Sequence, residues 1–309
     1  MKPQSLKQGD TIGLIAPSSP PNLNQLEKGI KLYEGYGLNV KIGRSIHLTD
    51  GYLAGGDRDR ADDLMAMFQD PEIKGVFCVY GGYGSARMVE LLDFDVIQAN
   101  PKVFWGYSDV TFLHQVIYQK TGMITFHGPM MSSDLGGEVH PFTENYLKQV
   151  FTPTTITYDT AISDLTILNP NEKRKVSGPM VGGNLSLIIS SLGTPYELDT
   201  RDKLLFIEDV GEEPYRLDRM LNQLRLANKL QDAAGIIIGD FHACEPLKRI
   251  DSQNVNEVVT HHLTMAGPQA IVGLQAGHCT PTLSFPLGAM ATINLTERRI
   301  SIEPGVKGE

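Results

Sequence analysis

The sequence has few of the features that mark a secreted or membrane-inserted protein. Only three cysteines occur among 309 residues, at the scattered positions Cys78, Cys244 and Cys279. A disulfide framework is therefore not expected, and a reducing cytoplasm fits this cysteine usage. No run of about 18 apolar residues exists that could span a membrane, and residues 1–10 contain no apolar segment typical of a secretory signal. We therefore expect a cytoplasmic protein with no membrane partner.

Positive charge and cofactor motifs are also scarce. The chain has 27 Lys and Arg against 36 Asp and Glu, a net charge of −9, which disfavours nucleic acid as a partner because that affinity comes from clustered basic residues. No HExxH or CxxC motif is present, so no metal is expected. The glycine-rich segment at residues 81–84 lacks a Walker lysine, and Arg87 occupies the third glycine position of a dinucleotide fingerprint. We expect no cofactor.

The chain does contain ample apolar material, 41% of its residues, in an alternating order. Strand-like and helix-like segments alternate through the first part of the chain, which predicts an α/β fold with a mostly parallel sheet. One predicted helix, around residues 61–68, has an apolar face and an opposite face rich in Asp and Arg. The predicted strands of this part are residues 11–16, 38–42, 75–80, 102–106 and 125–127.

The length predicts two domains. The regular pattern loosens between residues 141 and 175, where Thr, Pro and Asn accumulate. We therefore predict an N-terminal α/β domain at 1–145, a linker at 146–175 and a smaller, β-rich C-terminal domain at 176–309. Within that second domain, residues 204–207 and 234–239 are predicted strands, and residues 289–303 alternate as β structure does.

A candidate nucleophile lies in the segment at residues 103–111. An apolar strand ends at Gly106 and a helical pattern begins near Val110, so Ser108 falls on the turn between them. Such a turn exposes a hydroxyl beside the backbone N–H groups of a helix N-terminus, which suits a nucleophile and its oxyanion. The G-x-S-x-G pattern is incomplete, because Val110 replaces its second glycine. The alternative is that Ser108 or Asp109 merely caps the helix.

A serine nucleophile needs a base and an orienting carboxylate. Several of the eight histidines are candidates for the base. His278 follows the apolar stretch 270–274, His127 has a similar setting, His242 follows a strand, and His261 and His262 lie in a polar helix, although a histidine in a loop is often structural. Glu208 and Asp209 follow the strand at 204–207, where a surface turn is the alternative. The glycines at 81–84 follow another strand and could form a plain turn or offer N–H groups to a substrate or oxyanion.

Six segments, taken together and in order, resemble the LD-carboxypeptidase family of serine peptidases. The likeness covers nearly the whole chain and implies a flavodoxin-like N-terminal domain joined to a smaller β-rich domain. It also implies a metal-free triad in which Ser108 is the nucleophile, Glu208 the orienting carboxylate and His278 the general base. The segments are residues 9–18, 81–84, 106–111, 182–185, 207–212 and 277–278.

The resemblance further implies a substrate and an assembly. Family members remove the terminal D-Ala from murein tetrapeptides during cell-wall recycling, and they are commonly cytoplasmic homodimers. Backbone groups near Gly82 and Asp109 are the expected oxyanion donors. Asn184 is a candidate for hydrogen bonding to the peptide. Arg87, Arg216 and Arg219 are candidates for holding the substrate carboxylate, and a solvated surface position is the alternative for each.

Two other functions stay open at this point. A related branch of the family cleaves peptide-nucleotide antibiotics of the microcin C type and confers self-immunity. From a different class, a two-domain α/β chain of this length fits a non-catalytic solute-binding protein, which would close around its ligand. Covalent labelling at Ser108 distinguishes an enzyme from such a binding protein.

Overall fold

The computed structural model describes residues 1–162, 164–170, 174–247 and 251–308. They form two compact units: unit 1 contains residues 1–154, 283–288 and 304–308, and unit 2 contains the described residues of 155–282 and 289–303. The segments 283–288 and 304–308 thus pack with unit 1, although the sequence places them with the second domain. Residues 163 and 171–173 of the predicted linker lie outside the described residues. The limits of that linker stay a prediction.

The strands in the described part of the chain are numbered in chain order. They are β1 (Thr11–Ile15), β2 (Asn39–Ile42), β3 (Ile73–Cys78), β4 (Val103–Gly106), β5 (Thr125–His127), β6 (Ile156–Tyr158), β7 (Thr166–Leu168), β8 (Lys175–Asn184), β9 (Leu204–Val210), β10 (Gly235–His242), β11 (Ala270–Val272), β12 (Phe285–Leu287), β13 (Met290–Asn294) and β14 (Arg299–Ile302).

The α-helices are numbered in the same way, and short 3₁₀ helices connect several elements. The α-helices are α1 (Leu23–Gly35), α2 (Asp57–Gln69), α3 (Phe94–Ala99), α4 (Thr111–Thr121), α5 (Pro141–Leu147), α6 (Leu185–Ser191), α7 (Pro214–Leu226), α8 (Lys229–Asp232) and α9 (Val255–Ala266); the 3₁₀ helices are Arg44–His47, Ser85–Leu91, Ser108–Val110 and Lys148–Val150.

Unit 1 is built on one sheet with the strand order β12-β5-β4-β3-β1-β2. Strands β1 to β5 pair in parallel, and β12 pairs antiparallel with β5. The parallel order 2-1-3-4-5 is the flavodoxin-like one, in which ligands bind beyond the carboxyl ends of the strands near the β1/β3 switch point. Stacked rings of Phe77, Trp105 and Phe126 fill one part of the core. The predicted mostly parallel α/β fold of this part is confirmed.

The charged face of α2 differs from the expectation of a simple amphipathic helix. Arg60 is completely buried and Asp63 is 6% exposed. Asp63 accepts hydrogen bonds from the backbone N–H groups of Arg44 and Ser45, 3.0 and 2.9 Å away. Arg60 binds two backbone carbonyls in neighbouring loops. These charged residues therefore hold loops in place on the buried side of the helix.

Unit 2 contains a mixed sheet with the order β6-β14-β13-β8-β9-β10-β11-β7. Strands β8 to β11 pair in parallel in its centre, and the antiparallel strands lie on both sides. Strand β9 is buried over its first six residues, and it continues to Val210. Glu208 and Asp209 consequently lie within this strand and not after it, which corrects their predicted position. The β-rich character of the second domain is confirmed.

None of the helices in the described ranges is long and apolar enough to cross a membrane.

Candidate active site

Ser108 lies at a sharp turn in unit 1, directly after β4 and ahead of α4. Its φ angle is +63°, in the left-handed region that non-glycine residues rarely adopt. The N-cap positions are Tyr107 for the 3₁₀ turn and Val110 for α4, so the N-cap interpretation of Ser108 and Asp109 is wrong. A serine held in a strained turn before a helix has the geometry of a nucleophile elbow.

The glycine-rich loop after β3 packs closely against this turn. A Cβ atom on Gly81 would lie 3.1 Å from both the Cβ and the Oγ of Ser108. Gly82 has a φ angle of +95°, and a Cβ there would overlap the Oγ of Ser19 at 2.3 Å. Ser19 also donates its backbone N–H to the carbonyl of Gly81 at 3.0 Å. Glycine is therefore strongly favoured at Gly82, and Gly81 lies in tight contact with the candidate nucleophile.

Asp109 supports these loops through its side chain. It is 1% exposed, and its Oδ2 accepts hydrogen bonds from the Oγ of Ser18 at 2.5 Å and the N–H of Ser85 at 2.8 Å. Burial raises the pKa of Asp109, and the bonds from Ser18 and Ser85 oppose that shift. The Asp109 side chain is thus engaged within the protein. The sequence contained no signal that pairs these serines with Asp109.

Two arginines near the glycine-rich loop have different environments. Arg87 is 42% exposed and donates from Nε and Nη2 to Asp57 at 3.2 and 3.1 Å. Arg60 is fully buried and donates from Nη1 to the carbonyls of Pro17 at 2.6 Å and Gly84 at 2.7 Å. Arg60 therefore links the loops after β1 and β3. The sequence did not predict this role, because Arg60 lies in α2, whose amphipathic pattern indicates a solvated charged face.

In unit 2, Glu208 and His278 form a close pair. The Oε2 of Glu208 lies 2.7 Å from the Nδ1 of His278. Glu208 is fully buried, whereas the His278 side chain is 16% exposed. Burial raises the pKa of Glu208, and the hydrogen bond to His278 opposes that shift. A carboxylate on Nδ1 fixes the ring tautomer, so Nε2 is the nitrogen suited to accept a proton from a hydroxyl.

The loop that carries His278 is shaped for this contact. Gly277 has a φ angle of +125°, and a Cβ at this position would lie 2.8 Å from the Oε2 of Glu208. The Oγ1 of Thr282 donates to the carbonyl of Gly277 at 2.9 Å and accepts from its N–H at 3.2 Å. A glycine before His278 therefore lets the loop approach the buried carboxylate.

Asn184 is buried beside this pair and caps α6 by accepting a hydrogen bond from the N–H of Leu187 at 3.3 Å. Its Nδ2 donates to the Oδ1 of Asp209 at 2.9 Å, and its side chain also hydrogen-bonds to Glu208. Asp209 accepts two further bonds from the N–H and Oγ of Ser186. Asn184 thus braces the two carboxylates of β9.

Unit 1 therefore brings Ser108, Gly82 and Asp109 into one loop cluster, and unit 2 brings Glu208, His278 and Asn184 together. Arg87 pairs with Asp57 at the surface. In the part of the chain that the structure describes, no group of three or more His, Cys, Asp or Glu residues is arranged to hold a metal ion.

Comparison with known proteins gives matches along both halves of the chain. Residues 12–128 match the LD-carboxypeptidase N-terminal domain, and residues 177–293 match the LD-carboxypeptidase C-terminal domain. The chain is 50% identical over 306 residues to the "Probable murein peptide carboxypeptidase" of Bacillus subtilis (strain 168), which covers 99% of this chain and 95% of that protein.

Two solved structures have the same fold. The muramoyltetrapeptide carboxypeptidase from Oxalobacter formigenes matches with a TM-score of 0.84 and 26% identity, over 97% of this chain and 100% of that chain. The wild-type apo structure of the microcin C7 self-immunity protein MccF matches with a TM-score of 0.88 and 27% identity, over 98% of each chain. Both domain matches and the identity to the Bacillus relative lead to one conclusion: the chain belongs to the LD-carboxypeptidase family of serine peptidases.

Proposed function

We propose that this peptidase removes the terminal D-Ala from murein tetrapeptides by means of Ser108, His278 and Glu208. The pair of Glu208 and His278, 2.7 Å apart, carries the chemical part of the proposal. The 50% identity to a relative named as a murein peptide carboxypeptidase supports the substrate. Membership in a peptidase family decides against the alternative of a non-catalytic solute-binding protein.

The reaction begins with proton transfer. The Nε2 of His278 takes the hydroxyl proton of Ser108 while the Oγ attacks the carbonyl carbon of the bond before D-Ala. The positive charge that develops on the imidazole is stabilised by Glu208, which is buried and therefore acts in a medium of low dielectric constant. Glu208 stays ionised throughout and also holds the ring in the required tautomer.

The tetrahedral intermediate carries an oxyanion that needs N–H donors. The backbone N–H groups of Asp109, which follows Ser108, and of Gly82 are our candidates for this role, and one such donor is typically worth about 3 kcal/mol of barrier. His278 then protonates the amine of the departing D-Ala. Water attacks the resulting acyl-enzyme with His278 again acting as base, and the tripeptide is released.

Asn184 and Arg87 fit the substrate roles suggested by the sequence less well than they fit supporting roles. The side-chain amide of Asn184 is buried and bonded to Asp209, so it supports the carboxylates of β9. The Arg87 guanidinium is shared with Asp57, and binding a substrate carboxylate would require it to change partners. We retain both as weaker candidates for peptide contact.

The test measures D-Ala release from a murein tetrapeptide by the purified protein. We expect turnover that is lost in Ser108→Ala, and covalent labelling by a fluorophosphonate that is lost in the same variant. Ser190→Ala removes an exposed hydroxyl on α6 and serves as the matched control, with labelling and turnover retained. Labelling that persists in Ser108→Ala would contradict the assignment of the nucleophile.

Cleavage of a microcin C-type peptide-nucleotide is the second candidate function, and the match to MccF favours it. The same protein preparation should be assayed on a processed microcin analogue. We expect the murein tetrapeptide to be the better substrate, and turnover of the microcin analogue alone would overturn the proposed substrate.

We also propose that the enzyme is a cytoplasmic homodimer, as its resemblance to the family implies. Light scattering of the purified protein tests the dimer, and cell fractionation tests the location. A monomeric mass at working concentration would contradict the first of these proposals.

A further inference from the structure

The glycine-rich loop after β3 is held at both of its ends. At its start, the backbone N–H of Ser19 donates to the carbonyl of Gly81 at 3.0 Å, and the Oγ of Ser19 accepts from the N–H of Tyr83 at 3.2 Å. At its end, the N–H of Ser85 donates to the Oδ2 of Asp109 at 2.8 Å, and the Oγ of Ser85 donates to the backbone carbonyl of Asp109 at 2.6 Å. A shift of this loop would therefore break contacts to Ser19, to Asp109 or to both.

The backbone N–H of Gly82 lies between these two ends and is open to a ligand. Gly82 is exposed, and its N–H donates to no acceptor in the part of the chain that the structure describes. A Cβ on the neighbouring Gly81 would lie 3.1 Å from the Oγ of Ser108. An exposed N–H one residue away from a contact with the nucleophile suits a donor to a developing oxyanion. The position of the loop thus decides whether this N–H and the nucleophile can act on the same carbonyl.

The carboxylate of Asp109 connects two loops to the residue that follows the nucleophile. Its Oδ2 accepts the Oγ hydrogen of Ser18 at 2.5 Å as well as the N–H of Ser85, and the N–H of Gly84 also donates to the carboxylate. Ser18 and Asp109 are 0% and 1% exposed, so water cannot readily replace these bonds. Because Ser18 precedes Ser19, this carboxylate fixes the loop after β1 together with the loop after β3.

The groups around Asp109 fit its ionised form. An ionised carboxylate only accepts hydrogen bonds, whereas a neutral carboxyl group has a proton of its own to donate, and all three neighbours named above are donors. The guanidinium of Arg60 in α2 also interacts electrostatically with Asp109, and burial together with the charge of Asp109 raises the pKa of the Cys78 thiol in β3. Burial raises the pKa of Asp109, and the bond from Ser18 is the largest of those that oppose this shift.

We propose that the Asp109 carboxylate, held by the hydroxyl of Ser18, is a positioning group that aligns the oxyanion hole with Ser108. It fixes the backbone N–H groups of Gly82 and of Asp109 itself relative to the nucleophile, and it acts without touching the substrate. This role rests on the proposed function, because oxyanion donors are needed only if Ser108 attacks a carbonyl.

A misaligned oxyanion hole should lower kcat and leave KM nearly unchanged. The oxyanion forms after the substrate has bound, so its donors stabilise the transition state more than the bound ground state. We expect Ser18→Ala and Asp109→Asn each to lower kcat for D-Ala release from a murein tetrapeptide about 10- to 100-fold, with KM within about threefold of the wild-type value. The affinity for a peptide boronate, which forms a tetrahedral adduct with Ser108, should fall by the same factor as kcat.

The double variant tests whether Ser18 and Asp109 act through the one bond between them. In that case Ser18→Ala should reduce kcat little further when Asp109→Asn is already present. A reduction equal to the product of the two single effects would instead contradict the proposal, because the hydroxyl of Ser18 would then act independently of Asp109.

A matched control is available in the same unit. The hydroxyl of Tyr36 donates to the carboxylate of Glu144 at 2.8 Å, outside the loops that follow β1 and β3. Tyr36→Phe removes this bond of the same kind and should keep the wild-type kcat and boronate affinity. Urea unfolding of each variant identifies any protein that is not folded. If Asp109→Asn does not fold, Ser18→Ala decides the matter, because it removes one oxygen atom and leaves the side chain otherwise similar in size.

Two results would overturn the inference while leaving the proposed function intact. One is a wild-type kcat in folded Ser18→Ala. The other is a raised KM with an unchanged kcat and boronate affinity, because these residues would then support substrate binding and not the oxyanion. No D-Ala release by the wild-type protein would instead refute the proposed function, and the inference with it.

Discussion

The substitution Glu208→Gln tests the proposed chemistry most directly, because it removes a charge and changes the side-chain shape very little. Glu208 is fully buried, and its Oε2 lies 2.7 Å from the Nδ1 of His278. The glutamine amide can present either an oxygen or an NH₂ group to the ring. If it presents NH₂, the imidazole is held in the wrong tautomer for accepting the proton of Ser108.

The expected size of the effect follows from charge separation in the transition state. The imidazolium of His278 forms about 4 Å from the centre of the Glu208 carboxylate, and two unit charges at that distance interact by about 4 kcal/mol at an effective dielectric constant of about 20. About 1.4 kcal/mol of activation free energy corresponds to a tenfold change in rate. Loss of the charge alone therefore predicts about a 10³-fold lower kcat. The tautomer effect extends the expected loss to about 10⁴-fold.

The thermal stability of Glu208→Gln should not fall together with its kcat. Burial raises the pKa of Glu208 above its ordinary value of 4.5, so the folded protein binds this proton more tightly than the unfolded chain does. A carboxyl group with a raised pKa costs stability as the pH increases through that window, and the full cost is present once the folded group is ionised. Glutamine carries no such cost, so at neutral pH we expect Glu208→Gln to have a Tm equal to or above that of the wild type.

The assay measures kcat for D-Ala release together with the Tm of each variant. Asp218→Asn breaks a His–carboxylate pair of similar length, at 2.6 Å, and should keep the wild-type kcat. A loss of less than tenfold in Glu208→Gln would refute the reasoning, because the carboxylate would then not stabilise the imidazolium. A large fall in Tm would show that the activity loss reflects unfolding.

Three further predictions concern the nucleophile and its surroundings. Gly81→Ala places a Cβ 3.1 Å from the Oγ of Ser108 and should lower kcat/KM about 100-fold through displacement of the nucleophile, whereas Gly137→Ala, which has no atom within 4 Å of the added Cβ, should not. Ser108→Gly should be more stable than Ser108→Ala by about 1 kcal/mol in urea unfolding, because φ is +63° at this position; equal stability would contradict the strain. Burial lowers the pKa of His114 to about 4 from 6.5, so the folded protein resists protonation of this ring and stability falls as the pH drops below 6.5. Between pH 7 and pH 5 the free energy of unfolding of the wild type should fall by about 2 kcal/mol more than that of His114→Gln. Urea titrations at the two pH values measure this difference, and an equal fall in the two proteins would argue against a neutral, buried ring.

The parallel sheet of unit 1 was predictable because most of its strands are apolar runs that are closed by a turn residue; the largely exposed β2 is the exception. The strand at 102–106 is an example: its apolar residues end at Gly106, and the structure gives Val103–Gly106. The position of Ser108 followed from the same boundary between strand and helix. The pattern of apolar residues indicates which segments of the chain are buried, and burial of their side chains stabilises these strands.

Contacts between distant segments were not predictable from periodicity. Strand β12 at Phe285–Leu287 joins β5 of unit 1, although its sequence neighbours belong to unit 2. Arg60 lies in a helix whose charge pattern is typical of a solvated face, yet it bonds to Pro17 and Gly84. Both features depend on partners far away in the sequence, and a local pattern carries no information about them.

The adjacent carboxylates Glu208 and Asp209 show why the site needed more than local sequence. Successive residues of a strand point to opposite faces of the sheet, so Glu208 meets His278 whereas Asp209 meets Ser186. In the pairing of β8 with β9, Asn184 stands opposite Glu208. A shift of one residue would exchange the two faces and place the other carboxylate beside the histidine. The register of β9, and not the presence of two acidic residues, therefore decides which carboxylate can orient the base.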